Sequence, residues 1–222
     1  MTWERDLEGL KLRFDVIESV VTVAGREILL AQPRNADTLI SEDDFVKDER
    51  LPYWADLWPS SQVLAEHVVR HKGDGRRALE LGCGSGLVSS ALAMAGYRVT
   101  ATDYYDDALE FTSVNARRAS GRQVQTRMVD WRHMPRDLGT FDVVVASDVL
   151  YEHTHGELVA DAVLATLRPD GYALIADPGR LSLDAFLRSV EEGGMAVTEQ
   201  WDVAFAQAGM KETIQLHALR IR

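Results

Sequence analysis

Residues 78–87 read Ala-Leu-Glu-Leu-Gly-Cys-Gly-Ser-Gly-Leu. An apolar run carrying Glu80 breaks into Gly82, Gly84 and Gly86 before a helical pattern begins. Glycine permits the sharp turn needed at a strand's end and lets the backbone approach a ligand that a Cβ would hold off. The helix that follows directs unpaired N–H groups and the positive end of its dipole at whatever binds there. Seventeen residues after Gly86 the next apolar stretch ends in Asp103, placed to accept hydrogen bonds from ribose hydroxyls. Together these residues make a nucleoside-binding arrangement.

A dinucleotide fingerprint needs Gly-x-Gly-x-x-Gly with a pyrophosphate on the helix N-terminus. Here the glycines alternate, and the position of the third dinucleotide glycine is Leu87. Glu80 would repel a phosphate but suits a ligand carrying an ammonium group. Glu-x-Gly-x-Gly-x-Gly resembles the first motif of the seven-strand (class I) S-adenosylmethionine-dependent methyltransferases. The resemblance implies S-adenosyl-L-methionine as cofactor and S-adenosyl-L-homocysteine as product.

Further along, other strand ends carry residues fit for a site: Asp103-Tyr104, Asp130-Trp131, Ser147-Asp148 and Asp177-Pro178. In the family resembled, an acid in the place of Asp130 accepts the adenine amino group. Trp131 offers a flat face to a purine, a stacking contact of ~1–3 kcal/mol, or else it simply covers the sheet end. Tyr104 is open to the same two readings. Ser147-Asp148-Val149-Leu150-Tyr151 forms an Asp-x-x-Tyr arrangement. With the upstream segment Tyr53-Trp54-Ala55-Asp56-Leu57-Trp58-Pro59, it resembles the protein-lysine methyltransferases grouped as methyltransferase family 16. Asp177-Pro178-Gly179-Arg180 looks like the branch acting on the β subunit of electron transfer flavoprotein. The resemblance covers roughly residues 51–180. It implies cofactor contacts at Trp58, Glu80, Gly82, Gly84, Gly86, Asp103, Tyr104, Asp130, Trp131 and Ser147. It also implies an acceptor held by Asp148 and Tyr151, and substrate contacts at Trp54 and Arg180.

An amine acceptor has a reference pKa near ~10.4 and must shed its proton before attacking a methyl group. Asp148 can hold such an amine in line for displacement, yet its charge favours the ammonium form. Deprotonation then falls to the neighbouring sulfonium, to desolvation or to water. Tyr151, Trp54 and Trp58 could wall a lysine channel, where aromatic faces attract a cation by ~0.5–2 kcal/mol.

These residues need a scaffold that brings strand ends together. From Arg77 onward, strand and helix patterns alternate, which predicts a parallel sheet covered on both faces. Strands are expected at 77–81, 98–102, 123–129, 141–147 and 172–177, and helices at 86–95, 106–119, 156–167 and 182–193. Phe141-Asp142-Val143-Val144-Val145-Ala146 is nearly unbroken in apolarity, as a central strand buried on both faces should be. Residues 196–205 and 213–221 read as two strands with no helix between them, the antiparallel hairpin that closes a class I sheet. The fold class expected is therefore α/β, Rossmann-like, with seven strands. Residues 61–222 would form this domain and residues 1–60 an extension packed on it. The extension contains a β-hairpin over 16–30 around Ala24-Gly25, a polar stretch from Gln32 to Glu49, and the aromatic segment. Pro59 holds Trp58 out of the α region, and Ser60 or Ser61 can cap a helix running to about His71.

Composition sets bounds. The 222 residues suffice for one well-buried core. The one cysteine, Cys83, excludes an intrachain disulfide and suits a reducing, cytoplasmic setting; no base adjoins it to make a nucleophile. Residues 1–6 lack the basic start and apolar stretch of a secretory signal, so no leader is expected, and no apolar run approaches the ~20 residues of a membrane helix. A net charge of −11 speaks against phosphate-backbone binding, although a local basic patch could hide within it. His153 and His155 lie two apart in a loop or helix start and read as solvated surface, not a metal site. Glu42-Asp43-Asp44 with Asp48-Glu49 lacks calcium-loop spacing and reads as a solvated face. Arg117, Arg118 and Arg122 flank a helix C-terminus, where positive charge is stabilising.

The acceptor is then a protein lysine or a small-molecule amine or hydroxyl. A module that holds S-adenosylmethionine without catalysis is the remaining alternative. No nucleic acid, metal or membrane partner is expected, and a monomer is the simplest oligomeric expectation.

Overall fold

The computed structural model describes residues 2–39, 51–207 and 209–222; the acidic run from Glu42 to Glu49 lies outside the described residues. Helix α1 (Trp3–Arg13) leads into an antiparallel hairpin of β1 (Val16–Val23) and β2 (Arg26–Pro33). Val23 pairs with Arg26 across Ala24 and Gly25, both at positive φ (49° and 73°), the backbone that a two-residue hairpin turn requires. The hairpin is held to the rest by Asn115, whose side chain donates to Ala31 O at 2.7 Å and accepts from Ala31 N at 2.9 Å.

The sequence reading contains no helix over α1. Its buried residues are Leu7 and Leu10 alone, too few for an apolar period to show. What secures it is tertiary: Leu7 and Leu10 share a cluster with Trp54 and Phe111, and Arg13 pairs with Asp107 and Glu110.

After 3₁₀ turns at Ala36–Leu39 and Tyr53–Ala55, helix α2 (Pro59–Val68) begins with proline in its first turn, where a missing N–H costs nothing. The sheet domain then follows as β3 (Arg77–Leu81), α3 (Leu87–Met94), β4 (Arg98–Asp103), α4 (Asp106–Ser120), β5 (Gln125–Met128), β6 (Phe141–Ser147), α5 (His155–Thr166), β7 (Leu167–Asp177), α6 (Leu183–Glu192), β8 (Met195–Gln207) and β9 (Met210–Ile221). Every expected element is present. β5 is shorter than expected; β7, β8 and β9 are longer.

The seven strands run in the order β5-β4-β3-β6-β7-β9-β8, parallel except for the pairings of β9 with β7 and β8. The alternation within β6 shows how both faces are buried. Val143 and Val145 point into the cluster under α2 and α3, while Val144 and Ala146 point into the cluster under α5 and α6. Chain direction around the sheet reverses between β3 and β6, so the crevice beyond their carboxyl ends is where a ligand site opens in such folds.

Candidate functional site

At that crevice lies a cleft of about 510 Å³. Its floor is the turn after β3, where Gly82, Gly84 and Gly86 take φ of +69°, +52° and +86°. The glycines answer to the protein as much as to a ligand. A Cβ on Gly82 would stand 2.8 Å from Val149 Cγ1, one on Gly84 would stand 3.0 Å from Trp54 O, and one on Gly86 would stand 2.6 Å from Thr112 Cα. The turn is thus pressed against three neighbouring segments, and only glycine fits between them.

Asp103 ties this turn to the next. Its Oδ2 accepts from Gly84 N at 2.9 Å and its Oδ1 from Tyr105 N at 3.2 Å. It lines the cleft with Tyr104, and burial raises its pKa against the pull of those N–H donors. Glu80 occupies the α3 side of β3, where Ser89 Oγ donates to it. It is 1% exposed, and burial pushes its pKa up to about 8. A carboxyl so placed becomes a ready anion once a cation is lodged beside it. Cys83 is buried beneath the same turn and its thiol pKa is pushed well up by burial, an inert packing group.

Beyond β5, Asp130 accepts from Arg132 N at 3.0 Å and from its guanidinium at 2.8 and 2.9 Å. That arginine holds its carboxyl down to about 2. The carboxylate lines the cleft already engaged with Arg132. Trp131 is packed across the glycine turn, its ring 3.6 Å from where a Gly82 Cβ would be. It meets His155 edge-on at 5.3 Å.

Asp148 follows Ser147 at the end of β6 with φ of +56°, a left-handed position that aspartate tolerates better than most residues. Its N–H donates to Ala176 O at 3.0 Å, continuing the pairing of β6 with β7. The carboxylate is reached from two sides: Ser60 N, in the first turn of α2, donates to Oδ2 at 3.0 Å, and Arg180 Nη2 lies 3.1 Å from Oδ1. Burial raises the pKa of Asp148, and these two donors oppose that rise. Arg180 is placed in turn by Asp177, whose Oδ1 accepts from Gly179 N at 2.8 Å and Arg180 N at 2.6 Å. Its guanidinium stands over Trp58 at 5.3 Å, and Trp58 Nε1 donates to Tyr53 O at 2.8 Å.

A run of rings borders the opening. Trp58 meets Tyr53 at 6.0 Å, Tyr53 meets Tyr151 at 5.2 Å, and Tyr151 meets His155 at 4.7 Å, all edge-to-face. Tyr53 and Tyr151 remain 38% and 42% exposed, so this wall faces both cleft and solvent.

The structure thus brings Trp54, Trp58, Glu80, Gly82, Gly84, Asp103, Tyr104, Asp130, Trp131, Ser147, Asp148, Tyr151 and Arg180 to one cleft, while Gly86 is set behind it against Thr112. Trp54 also lines the cleft, but it is only 8% exposed there. Its ring packs on Phe111 and Tyr105 at 5.7 and 6.4 Å within the α1–α4 cluster, and its carbonyl backs Gly84. His155 corrects the solvated reading given to it. It is 7% exposed, and its Nδ1–H donates to Val149 O at 2.8 Å, while His153 is exposed. Sequence reasoning also missed Ser60 and Asp177 as site residues. Ser60 acts through its backbone, which no side-chain pattern announces, and Asp177 was noticed only as a strand end. Among the described residues no group of three or more metal-ligating side chains assembles, and no helix is long and apolar enough to cross a membrane.

Residues 78–171 match the family model of a methyltransferase domain. The electron transfer flavoprotein β subunit lysine methyltransferase of Xenopus laevis is 30% identical over 133 residues, 58% of this chain and 53% of that protein. The ubiquinone biosynthesis O-methyltransferase of Vibrio campbellii is 27% identical over 165 residues, 66% of this chain and 70% of that protein. Among solved structures, a TehB-like SAM-dependent methyltransferase from Corynebacterium glutamicum superposes with a TM-score of 0.56 at 16% identity, covering 75% of this chain and 89% of that one. That likeness is one of fold. The chain spans about half the length of the protein-lysine methyltransferases it matches, 46%, 53% and 50% of three of them.

Proposed function

We propose that this chain, whose residues 78–171 match the model of a methyltransferase domain, transfers a methyl group from S-adenosylmethionine to a lysine side-chain nitrogen of a protein. The observation that carries the reading is the convergence on one cleft of the glycine turn with Asp103 and, facing it, Asp148 beneath an aromatic rim.

The residues present fit the cofactor. The turn presents Gly82 and Gly84 to the cleft, Asp103 offers ribose an acceptor already oriented by two N–H groups, and Trp131 presents a ring near the purine's place. Glu80 answers an ammonium group. When bound, S-adenosylmethionine supplies an electrophilic methyl on a sulfonium. The chain's own work is positioning: Asp148 holds the acceptor nitrogen in line, the Tyr53–Tyr151–Trp58 rim receives the cationic side chain and restricts water, and Ser60 and Arg180 hold Asp148 as a carboxylate. The protein-lysine relatives and the Asp-x-x-Tyr spacing support a lysine acceptor in preference to a small molecule. The similarity to a ubiquinone O-methyltransferase, which covers more of both chains, favours the second reading of a small-molecule acceptor. The single cysteine suits a reducing, cytoplasmic compartment.

Incubation with methyl-labelled S-adenosylmethionine and a lysate of the source organism, fractionated into protein and small molecules, tests both. Label on lysine in the protein fraction is expected. Label confined to small molecules overturns the lysine acceptor, and no label in either overturns the activity.

A further inference from the structure

The strands of the large sheet are electrically polarised. Their carboxyl ends carry the acids of the cleft, while their amino ends carry arginine. In strand order, Arg122 precedes β5, Arg98 begins β4, Arg76 precedes β3 and Arg77 begins it, Arg168 lies near the start of β7, and Arg220 lies near the end of the antiparallel β9. Arg77 and Arg98 are direct neighbours in the β3–β4 register, a pairing of like charges that costs stability where it serves no purpose.

Most of these guanidiniums are held by groups that leave their charge unneutralised. Arg98 Nε donates to Gly75 O at 2.6 Å, Arg76 Nη2 to Lys72 O at 2.8 Å and to Tyr97 Oη at 3.2 Å, and Arg220 Nη1 to Gly171 O at 3.4 Å. Arg77 lies over the Phe141 ring at 4.7 Å. Of the six, Arg168 alone has a carboxylate partner among the described residues, Asp142 at 2.7 Å. All but Arg77 are exposed. Within a chain of net charge −11, this edge concentrates positive charge on the side opposite the cleft.

We propose that the arginine-lined amino edge of the sheet is a docking surface for an acidic protein. Six adjacent strands at ~4.8 Å spacing give a row about 24 Å long, close to the width of a standard protein interface of roughly 800 Å² per partner. Guanidiniums fixed by backbone carbonyls lose little freedom when a carboxylate arrives, and their fork matches it. Two features favour an acidic protein over nucleic acid. Asp74, Asp142 and Asp170 interrupt the row, as in a surface matched charge by charge and not one tracking a phosphate backbone. The edge's aromatic residues, Tyr97, Phe141 and Tyr172, are buried or half-buried beneath the arginines and offer no face on which a base could stack. The surface is remote from the cleft, so the inference stands apart from the methyl acceptor's identity.

The test uses fluorescent poly-L-glutamate and, separately, oligouridylate, titrated with the full chain at about 0.1 M salt. Poly-L-glutamate should bind, and the triple variant Arg76→Gln, Arg98→Gln, Arg220→Gln should weaken binding at least about tenfold. Arg5→Gln, Arg26→Gln, Arg188→Gln, three exposed arginines outside these strand ends, should change it less than about twofold. If the first triple variant unfolds, the pair Arg122→Gln and Arg168→Gln, which lack those carbonyl hydrogen bonds, replaces it. Absent binding, equal weakening in the control triple, or tighter binding of oligouridylate at the same edge would each overturn the proposal.

Discussion

Arg180 places Nη2 3.1 Å from Asp148 Oδ1 while its guanidinium stands 5.3 Å over the Trp58 ring. A cation already occupies the seat, between carboxylate and aromatic face, that an acceptor ammonium would be expected to take. Arg180 therefore opposes the rise that burial imposes on the Asp148 pKa, and under the proposed function it stands where the acceptor would approach. Removing it should leave Ser60 alone to oppose burial and raise that pKa further.

The acid limb of the kcat profile should accordingly move to higher pH in Arg180→Met, since Asp148 must be ionised to hold the acceptor. Asp148→Asn should lower kcat by ~100-fold or more while leaving S-adenosylmethionine affinity within a few-fold, the mark of an interaction used in the transition state. Turnover measured across pH, with calorimetry for the cofactor, checks both. An acid limb unmoved in Arg180→Met would remove Asp148 ionisation as its cause.

Glu80, at about 8 without a cation beside it, should make cofactor binding proton-linked. An ammonium group lowers that pKa, so binding below pH 8 should expel a proton, and affinity should rise with pH until it levels near 8. Calorimetry in two buffers of different ionisation enthalpy counts the proton. Glu80→Gln should bind more weakly and show no release.

Trp54 and Tyr151, both expected at the acceptor, should separate by experiment. Trp54 is 8% exposed within the α1–α4 cluster, so Trp54→Ala should cost ~3–5 kcal/mol of stability. Tyr151 is 42% exposed at the rim, so Tyr151→Ala should lower kcat/KM with little change in Tm. Thermal denaturation beside steady-state kinetics distinguishes them, and a Trp54→Ala chain of normal Tm with lost activity would make Trp54 a wall of the channel.

Asp177 bears on stability. It is wholly buried, its Oδ2 has no hydrogen-bond partner among the described residues, and burial with the nearby Asp148 charge pushes its pKa up to about 6 from the ordinary 3.8. The folded state thus holds this proton more tightly than the unfolded state. Its stabilising contribution is full below the ordinary value and is lost as pH rises through about 6. Asp177→Asn keeps an oxygen for Gly179 and Arg180 and carries no charge. It should match the natural chain near pH 4 and exceed it by about 2–3 kcal/mol above pH 7. Urea unfolding at both pH values checks this, and a constant difference between the two chains would remove Asp177 as its source.

The glycine-turn side of the cleft was legible because its requirements are local. A strand, a turn of positive-φ glycines and a helix leave a mark within ten residues, and Asp103 stands at the end of the next strand. The side around Asp148 was legible only in part. The ionic state of Asp148 depends on Ser60, 88 residues away, acting through a backbone N–H, and on Arg180, 32 residues away.

Residue order alone determined the parallel sheet, its antiparallel close and the ends at which acids gather, because alternation and helical period are imposed by backbone geometry. Tertiary structure decided the rest. It folded α1 on the strength of two leucines and ion pairs to α4, turned Trp54 into the core while Tyr53 and Tyr151 stayed at the rim, and buried His155. It also drew six arginines from five strands into one row. Each of these outcomes depends on which segments meet across the fold, and contact between distant residues leaves no period in the sequence.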